Sequence, residues 1–340
     1  MIDVKSMLYE ELQESFSARG ERPYRAEQVF SWLHSGVRSF GEMTNLPLGV
    51  REELSKAYSI TFPEIIENKV SKRDGTVKYL WQLGDGAAIE SVLMEYESWN
   101  TVCISTQAGC RMGCAFCASA IGGLQRNLAA SEMLDQVILT QLNTDKKVSN
   151  VVLMGIGEPL DNFDNVTRFL RIITHSAGVN IGARHITLST CGLIENIDKL
   201  AQYSIQFTLT VSLHAPDDET RTSLMPINRT TGVDSLLAAC FRYFNATGRR
   251  VSIEYAMISG INDTEFHAKL LAEKLKNSGC HLNIIRLSDV PQREFRASSP
   301  ARVKAFTDIL RTKGIGYTIR RSLGGDIDAS CGQLRRRRLS

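Results

Sequence analysis

Residues 110–117 read Cys110-Arg111-Met112-Gly113-Cys114-Ala115-Phe116-Cys117, and this stretch decides the fold expected of the chain. It comes soon after a strand-like run at Val102–Thr106. Three thiolates on one loop can bind three irons of a [4Fe-4S] cluster, and the fourth iron then has no protein ligand nearby. The amino and carboxylate groups of S-adenosylmethionine (SAM) can chelate such an open iron. The stretch therefore predicts an iron-sulfur cluster that binds and cleaves SAM.

Two other interpretations of the cysteine loop stay open at this point. A zinc-stabilised RNA-binding module could use the same thiols, although zinc sites usually combine two Cys-x-x-Cys halves and no second half is present. A radical SAM enzyme that acts on a small molecule or a peptide is the third possibility.

Length and charge set broad limits. The chain has 340 residues, enough for one large domain and a small one, and a formal net charge of +3. Basic residues concentrate near its end, at Arg320-Arg321 and Arg335-Arg336-Arg337-Arg338. Such a run is either a solvated tail or a contact for phosphates, so it is compatible with a nucleic-acid substrate.

The location expected from the sequence is the cytoplasm. The first residues are charged rather than an apolar core, which argues against an export signal. No apolar run reaches the roughly 18 residues of a membrane span. The chain has eight cysteines, and without an export signal these indicate a reducing compartment.

The pattern along the chain predicts three parts. Residues 1–62 read as a small helical N-terminal accessory domain, residues 63–100 as a linking β-meander, and residues 101–340 as the core. In the core, strand-like and helix-like segments alternate, which predicts a parallel sheet with right-handed crossovers. We expect an α/β fold, a partial (β/α)6 barrel whose reactive groups lie where strands end.

Polar groups at later strand ends are candidate SAM contacts. Gly155-Ile156-Gly157-Glu158-Pro159 follows a strand, and Glu158 could accept a hydrogen bond from the SAM ammonium group. Ser189 and the run Ser212-Leu213-His214 end two further strands. Each of these signals is weak alone, because a glycine turn or a serine at a strand end is common.

Three more residues are notable by their context. Cys331 lies in a glycine-flanked loop where a thiol can be mobile and exposed, and Cys103 lies in the strand before the cluster loop. Glu90 shares a strand face with apolar residues, so either its place on that face is assigned wrongly, or it is paired, or it is a base whose proton affinity is raised by burial. The remaining cysteines, Cys191, Cys240 and Cys280, are interpreted as small buried hydrophobes.

Several segments outside the cysteine loop form a specific set. They are Tyr24–Gln28, Glu42–Pro47, Gly122–Asn127, Gly155–Asn162, Ser212–Pro216, Met225–Asn228, Gly260–Asp263 and Cys331–Leu334. Together they resemble the radical SAM ribosomal and transfer RNA adenine-C2 methyltransferases, the RlmN family, over nearly the whole chain. The sister group is the Cfr-type adenine-C8 methyltransferases.

The resemblance implies a role for each matching position. The cluster ligands are Cys110, Cys114 and Cys117; the methyl-carrying cysteine is Cys331, the resolving cysteine that forms a transient disulfide with it is Cys103, and the proton acceptor is Glu90. The SAM contacts are Gly157, Glu158, Ser189, Ser212, Leu213, His214 and Ser288. At position 288 family members usually have asparagine, and serine is shorter.

The resemblance also implies substrates and partners. They are adenosine 2503 of 23S rRNA, adenosine 37 of some tRNAs, and a reductant such as flavodoxin or ferredoxin, with the enzyme acting as a monomer away from membranes. The C8 reaction of the Cfr type is the alternative activity. Gly157-Glu158-Pro159 favours C2, because Cfr-type sequences tend to have Gly-Glu-Ala there.

Overall fold

The computed structural model of the protein describes residues 1–203 and 205–334. The arginine run at 335–338, which the sequence suggests as an RNA contact, lies outside the described residues. Within the described part, no helix combines the length and apolar character needed to cross a lipid bilayer.

The helices and strands follow the predicted alternation. The helices are α1 (Tyr9–Ala18), α2 (Tyr24–His34), α3 (Leu48–Ala57), α4 (Ala130–Thr144), α5 (Phe163–Thr174), α6 (Ile194–Leu200), α7 (Asp218–Leu224), α8 (Asn228–Thr231), α9 (Val233–Thr247), α10 (Glu265–Leu275) and α11 (Pro300–Thr312). The strands are β1 (Ile2–Asp3), β2 (Tyr58–Ser59), β3 (Glu64–Val70), β4 (Val77–Gln82), β5 (Ala88–Glu95), β6 (Asn100–Cys103), β7 (Gln107–Gly109), β8 (Leu124–Asn127), β9 (Asn150–Leu153), β10 (Ile186–Thr190), β11 (Thr208–Ser212), β12 (Ser252–Met257), β13 (His281–Arg286) and β14 (Tyr317–Ile319).

One large sheet organises the fold. Its strand order is β14-β13-β12-β11-β10-β9-β6-β5-β4-β3, and β6 and β9 to β14 run parallel to one another. The crossovers between these parallel strands contain α4, α5, α6, α7–α9, α10 and α11 in turn. Six β/α units followed by the short strand β14 confirm the predicted partial (β/α)6 barrel.

The predicted β-meander is present, but it is part of the barrel sheet. Strands β3, β4 and β5 pair antiparallel, and β5 then pairs with β6, where Val92 lies opposite Cys103. Both faces of β4 are buried, because the C-terminal loop covers the face that carries Lys78, whose Nζ donates to Asp328 O at 2.9 Å. The domain limits at residues 62 and 100 stay predictions.

The strand predicted at Val102–Thr106 ends earlier, at Cys103. Beyond it the backbone follows the turn after β9: Thr106 N–H donates to Ile156 O at 2.9 Å, and Gly155 N–H donates to Ile104 O at 3.0 Å. The chain then forms the β7–β8 hairpin, and the cysteine loop connects its two strands. A contact with a distant segment, which the local pattern does not report, therefore sets where this strand stops.

A buried ion pair attaches the N-terminal segment to the barrel helix α4. The Lys5 ammonium group donates to Asp135 Oδ1 and Oδ2 at 2.6 and 2.7 Å and to the carbonyl oxygen of Thr61. It also lies 3.5 Å from the Phe62 ring centroid. Lys5 and Asp135 are only 2% and 1% exposed, so each charge depends on the other for solvation.

We expect Lys5→Met to lower the free energy of unfolding by about 3–5 kcal/mol, because it leaves the Asp135 carboxylate buried without its cation. Urea denaturation followed by circular dichroism measures this loss. Lys269→Met is the matched control, since Lys269 pairs with Glu265 on the exposed face of α10, and about 0–1 kcal/mol is expected there. Equal stability of the two variants would contradict the prediction.

Candidate active site

The cysteine loop is anchored on both sides of the site. Ala115 N–H donates to Leu224 O at the end of α7, and Ala118 N–H donates to Gly332 O in the C-terminal loop, each at 2.8 Å. At the start of the loop Gly109 has φ +86°, and a Cβ atom there would lie 2.0 Å from Gly123 O. Only glycine fits this position, because the two hairpin strands approach too closely for a side chain.

The three thiols of the loop line one cavity, which we call the cluster cavity. Burial and the neighbouring cysteine thiols raise the pKa of Cys110 to about 12 and that of Cys114 well above its usual value. Metals bind thiolates, so cluster assembly displaces protons here. In the described ranges no three His, Cys, Asp or Glu side chains converge on the position of a single metal ion. Three neighbouring thiols on one cavity wall fit a cluster, in which a different iron takes each thiolate.

Glu158 forms part of the cavity wall just after β9. Its Oε1 accepts a hydrogen bond from Leu160 N–H at 3.0 Å, and its Oε2 accepts one from Cys191 N–H at 2.7 Å. Burial raises the pKa of Glu158, and these donors oppose that rise. The preceding Gly157 has φ +114°, and a Cβ atom there would lie 2.7 Å from Gln107 Cβ. The glycine turn thus brings a carboxylate to the cavity.

The next two strands add neutral polar groups. Ser189, Ser212 and His214 line the cluster cavity, whereas Leu213 is fully buried behind it. His214 Nδ1 accepts a hydrogen bond from Ala256 N–H at 2.9 Å, so the neutral ring carries its proton on Nε2. Burial lowers the pKa of His214 to about 3. His214 is therefore a neutral hydrogen-bond donor at the cavity wall.

Arg221 is a site residue that the sequence did not reveal. Its side chain is fully buried, and its Nη2 donates to Cys191 O at 2.7 Å and Ser212 O at 3.1 Å. Its Nε donates to Leu213 O at 3.1 Å and its Nη1 to Asn228 Oδ1 at 2.7 Å. One guanidinium group thus fixes the ends of β10 and β11. An arginine in a short helix gives no sequence signal for this role.

Cys191 is buried among apolar residues, as predicted from the sequence, but it also belongs to the site. It lines the cluster cavity and packs in one apolar group with Cys114 and Phe116. Burial raises the pKa of its thiol well above the usual value. The sequence did hold a signal, because Cys191 follows the end of β10 as His214 and its neighbours follow the end of β11.

A second cavity adjoins the first. It runs along the inner faces of β5, β6 and β9 and is lined on the other side by β13 and β14. Among the described residues, those that line it include no Asp or Glu. The basic ones, for which we name it the basic cavity, are Arg184, His185, Arg286, Arg320 and Arg321. Met154, Ile285, Arg320 and Cys331 line both cavities. Cys331 therefore lies where the two cavities meet.

The loop that carries Cys331 is held on several sides. Ser119 Oγ donates to Leu334 O at 2.6 Å, and Gln333 Nε2 donates to Asp289 O at 2.8 Å. The Cys331 residue itself is exposed. The protein around the sulfur shields it from water, and this burial raises the pKa of the Cys331 thiol. The nearby Arg320 guanidinium opposes the rise.

The other predicted residues lie at different depths. Cys103 lines the basic cavity with Cys331, and burial, with a smaller effect of Cys331, raises its pKa far above normal. Glu90 is fully buried, with its Oε1 3.3 Å from Lys78 Nζ, and it lines neither cavity. Ser288 lines the basic cavity and not the cluster cavity.

A three-cysteine loop beside the strand ends of a partial β/α barrel defines a radical SAM enzyme. The Radical SAM superfamily model matches residues 104–271, and the model of the ribosomal RNA large subunit methyltransferase N-terminal domain matches residues 2–60. The chain belongs to the RlmN family of radical SAM RNA methyltransferases. Its cofactors are accordingly a [4Fe-4S] cluster and SAM.

Full-length relatives support this membership. The probable dual-specificity RNA methyltransferase RlmN of Desulforamulus reducens is 49% identical over 99% of this chain and 96% of its own length. The protein of the same name from Clostridium tetani is 46% identical over 99% of this chain and 97% of its own length. The crystal structure of a radical SAM methyltransferase from Sphaerobacter thermophilus matches with a TM-score of 0.92 and 42% identity, covering 98% of this chain and 99% of that one.

Proposed function

We propose that this enzyme methylates C2 of adenosine 2503 in 23S rRNA and of adenosine 37 in tRNAs, with Cys331 as the carrier of the transferred carbon. The observation that carries the proposal is the position of Cys331, which lines both the cluster cavity and the basic cavity. A thiol at that junction can reach a methyl donor on one side and an RNA base on the other.

The proposal assigns the cofactors to the cluster cavity. The cluster ligands are Cys110, Cys114 and Cys117, and the SAM-binding groups are Gly157, Glu158, Ser189, Ser212, Leu213 through its backbone, and His214. Bound together, the cluster and SAM supply one-electron chemistry that removes a hydrogen atom from a methyl group. Ser288 is left out of this set, because it lines the other cavity.

The proposed reaction needs two cysteines outside the cluster, because its target carbon does not react directly with SAM. Adenine C2 is electron-poor and cannot attack the sulfonium of SAM, so the carbon is transferred through sulfur. In the first step the Cys331 thiolate, its proton lost to solvent, displaces S-adenosylhomocysteine from SAM and gains the methyl group. Arg320 favours the thiolate that this step needs, because its positive charge opposes the rise in the pKa of Cys331 that burial causes.

Release of the product requires the second cysteine. Once the carbon joins Cys331 to adenine C2, the Cys103 thiolate attacks the Cys331 sulfur. The sulfur–sulfur bond forms, the sulfur–carbon bond breaks, and the carbon takes up a proton to become the methyl group. The two thiols are oxidised to a disulfide, which a cellular thiol reduces. Glu90, beside Lys78, is retained as the acceptor of the C2 proton from the family resemblance.

The basic cavity is proposed as the RNA side of the site. Its arginines and the absence of acidic side chains among its lining residues suit a polyanion. Tyr96 and Trp99 stand on the same wall, with ring centroids 5.5 Å apart, and half of Trp99 is exposed. Exposed aromatic rings can stack on a base that has left its helix, and the target adenine must do so to reach Cys331.

We expect Arg321→Glu to weaken RNA binding about tenfold or more and to reduce its salt dependence, because an exposed cation of the basic cavity is reversed. Fluorescence anisotropy with a labelled RNA hairpin at several salt concentrations measures both. Arg242→Glu is the control, because Arg242 pairs with Asp198 on an outer helix. Unchanged affinity of the Arg321 variant would contradict the RNA assignment of this cavity.

An anaerobic assay tests the whole proposal. The reconstituted enzyme is given 23S rRNA fragments and tRNA, and mass spectrometry of digested RNA locates the methyl group. Formation of 2-methyladenosine supports the proposal, and 8-methyladenosine would instead establish the Cfr-type reaction. Gly157-Glu158-Pro159 and the RlmN relatives favour C2.

The remaining expectations belong to the same proposal. A flavodoxin or ferredoxin would supply the electron, the enzyme would act as a monomer, and the reaction would take place in the cytoplasm.

A further inference from the structure

One buried carboxylate oxygen beside the cluster cavity has no hydrogen-bond partner among the described residues. Glu254 on β12 lines this cavity and is only 2% exposed. Its Oε1 accepts a hydrogen bond from Asn283 Nδ2 at 3.0 Å and lies 3.7 Å from Arg320 Nη1. Its Oε2 is buried and has no hydrogen-bond partner among the described residues. Buried carboxylate oxygens are nearly always hydrogen-bonded, so this oxygen is suited to accept a donor from a bound molecule.

The neighbouring strand supplies a matching hydroxyl. Ser212 on β11 is the register partner of Glu254 on β12, and both residues line the cluster cavity. A carboxylate accepts hydrogen bonds only, whereas a serine hydroxyl can donate or accept. Such a pair, held on adjacent strands, is complementary to two vicinal hydroxyl groups on a sugar.

The order of side chains along the cavity wall indicates which part of SAM lies beside Glu254. Glu158 follows β9 on the side of the cysteine loop, Glu254 lies three strands further along the sheet, and the next strand brings the apolar Ile285 and Leu287. A ligand with a charged amino-acid end, a sugar and an aromatic base matches this sequence of polar and apolar groups. The sugar falls beside β11 and β12.

We propose that Glu254 Oε2 accepts a hydrogen bond from a ribose hydroxyl of SAM, with Asn283 and Arg320 holding the carboxylate in position through Oε1. This inference rests on the proposal that the cluster cavity is the SAM site. Carboxylates near strand ends bind ribose hydroxyls in other nucleotide sites, where they discriminate the sugar rather than perform chemistry. Glu254 is accordingly a binding residue.

Ligand binding tests the inference without any turnover. Full-length protein with its reconstituted cluster is titrated anaerobically, by calorimetry, with S-adenosylhomocysteine and with its 2′-deoxy and 3′-deoxy analogues. We expect Glu254→Ala to weaken binding of S-adenosylhomocysteine by roughly 10- to 100-fold, the range of a hydrogen bond to a charged group. The wild-type protein should bind one deoxy analogue more weakly than S-adenosylhomocysteine by a similar factor, whereas the variant should bind the two ligands almost equally. The missing hydroxyl group and the missing carboxylate remove the same contact.

Two further variants keep the result interpretable. Glu195→Ala changes an exposed glutamate on α6 and should bind as the wild type does. Glu254→Gln keeps the shape of the side chain, so intermediate affinity with an unchanged melting curve supports a lost contact rather than a lost fold.

Other outcomes overturn the inference. If Glu254→Ala still discriminates between the ribose and deoxyribose ligands as the wild type does, Glu254 does not contact the sugar. If the variant keeps that discrimination but methylates Cys331 at a different rate, Glu254 acts by positioning Arg320 and not by binding the sugar. Failure of the wild-type protein to bind S-adenosylhomocysteine would overturn the proposed SAM site itself.

Discussion

Cys103→Ala is expected to stop the enzyme in covalent attachment to its RNA. Cys103 and Cys331 line the same cavity, and the proposed release step needs a thiolate that attacks the Cys331 sulfur. Alanine cannot supply that thiolate, while the cluster ligands and Cys331 are unchanged. The carbon on Cys331 therefore still becomes bonded to the adenine, but its bond to the Cys331 sulfur is not broken.

The expected loss of product release in Cys103→Ala is larger than a packing defect at this position would cause. Release of methylated RNA is expected to fall roughly 10³-fold or more, the scale of losing one member of a group that acts as a unit. The trapped species appears as a slower protein band on denaturing gels, and nuclease treatment of that band removes the shift. Mass spectrometry then locates the modified nucleotide on the peptide that contains Cys331.

Two controls accompany this experiment. The double variant Cys103→Ala/Cys331→Ala forms no adduct, because the attachment point itself is gone. Cys280→Ala changes a half-buried cysteine outside both cavities and should release product as the wild type does. If Cys103→Ala alone turned over at the wild-type rate, the resolving role of Cys103 would be wrong.

The second large effect is expected at Arg221. Arg221→Leu should lower the free energy of unfolding by about 3–5 kcal/mol, because four acceptor atoms lose their donor in a buried position. Three of these acceptors are backbone carbonyl groups of Cys191, Ser212 and Leu213. The ends of β10 and β11 are then no longer fixed, so binding of S-adenosylhomocysteine should weaken as well.

Urea denaturation and calorimetric titration measure the two consequences of this change. Arg221→Lys should be intermediate, because a lysine keeps the charge but cannot reproduce the planar set of donors. Arg242→Leu is the matched control: Arg242 contacts both carboxylate oxygens of Asp198, but on the exposed surface, where about 0–1 kcal/mol is expected. Similar unfolding midpoints for Arg221→Leu and Arg242→Leu would contradict the prediction.

Some features of the fold could be predicted from the sequence, and others could not. The alternation of strands and helices after residue 101 predicted the barrel correctly, since each β/α unit leaves its own local periodicity. The end of β6 was predicted wrongly at Thr106, because the backbone beyond Cys103 follows the turn after β9. The meander strands were identified, but their fusion with the barrel sheet depends on the pairing of β5 with β6.

The sequence by itself determined the cofactor chemistry and the fold class, because three thiols within one short loop and a repeated β/α pattern are properties of neighbouring residues. Only the tertiary contacts show that Cys331 borders two cavities, that Arg221 is buried beneath the strand ends, and that one oxygen of Glu254 is buried with no hydrogen-bond partner among the described residues. These features depend on segments far apart in the chain that cover or face one another. Local spacing carries no information about which distant surfaces exclude water from a polar group.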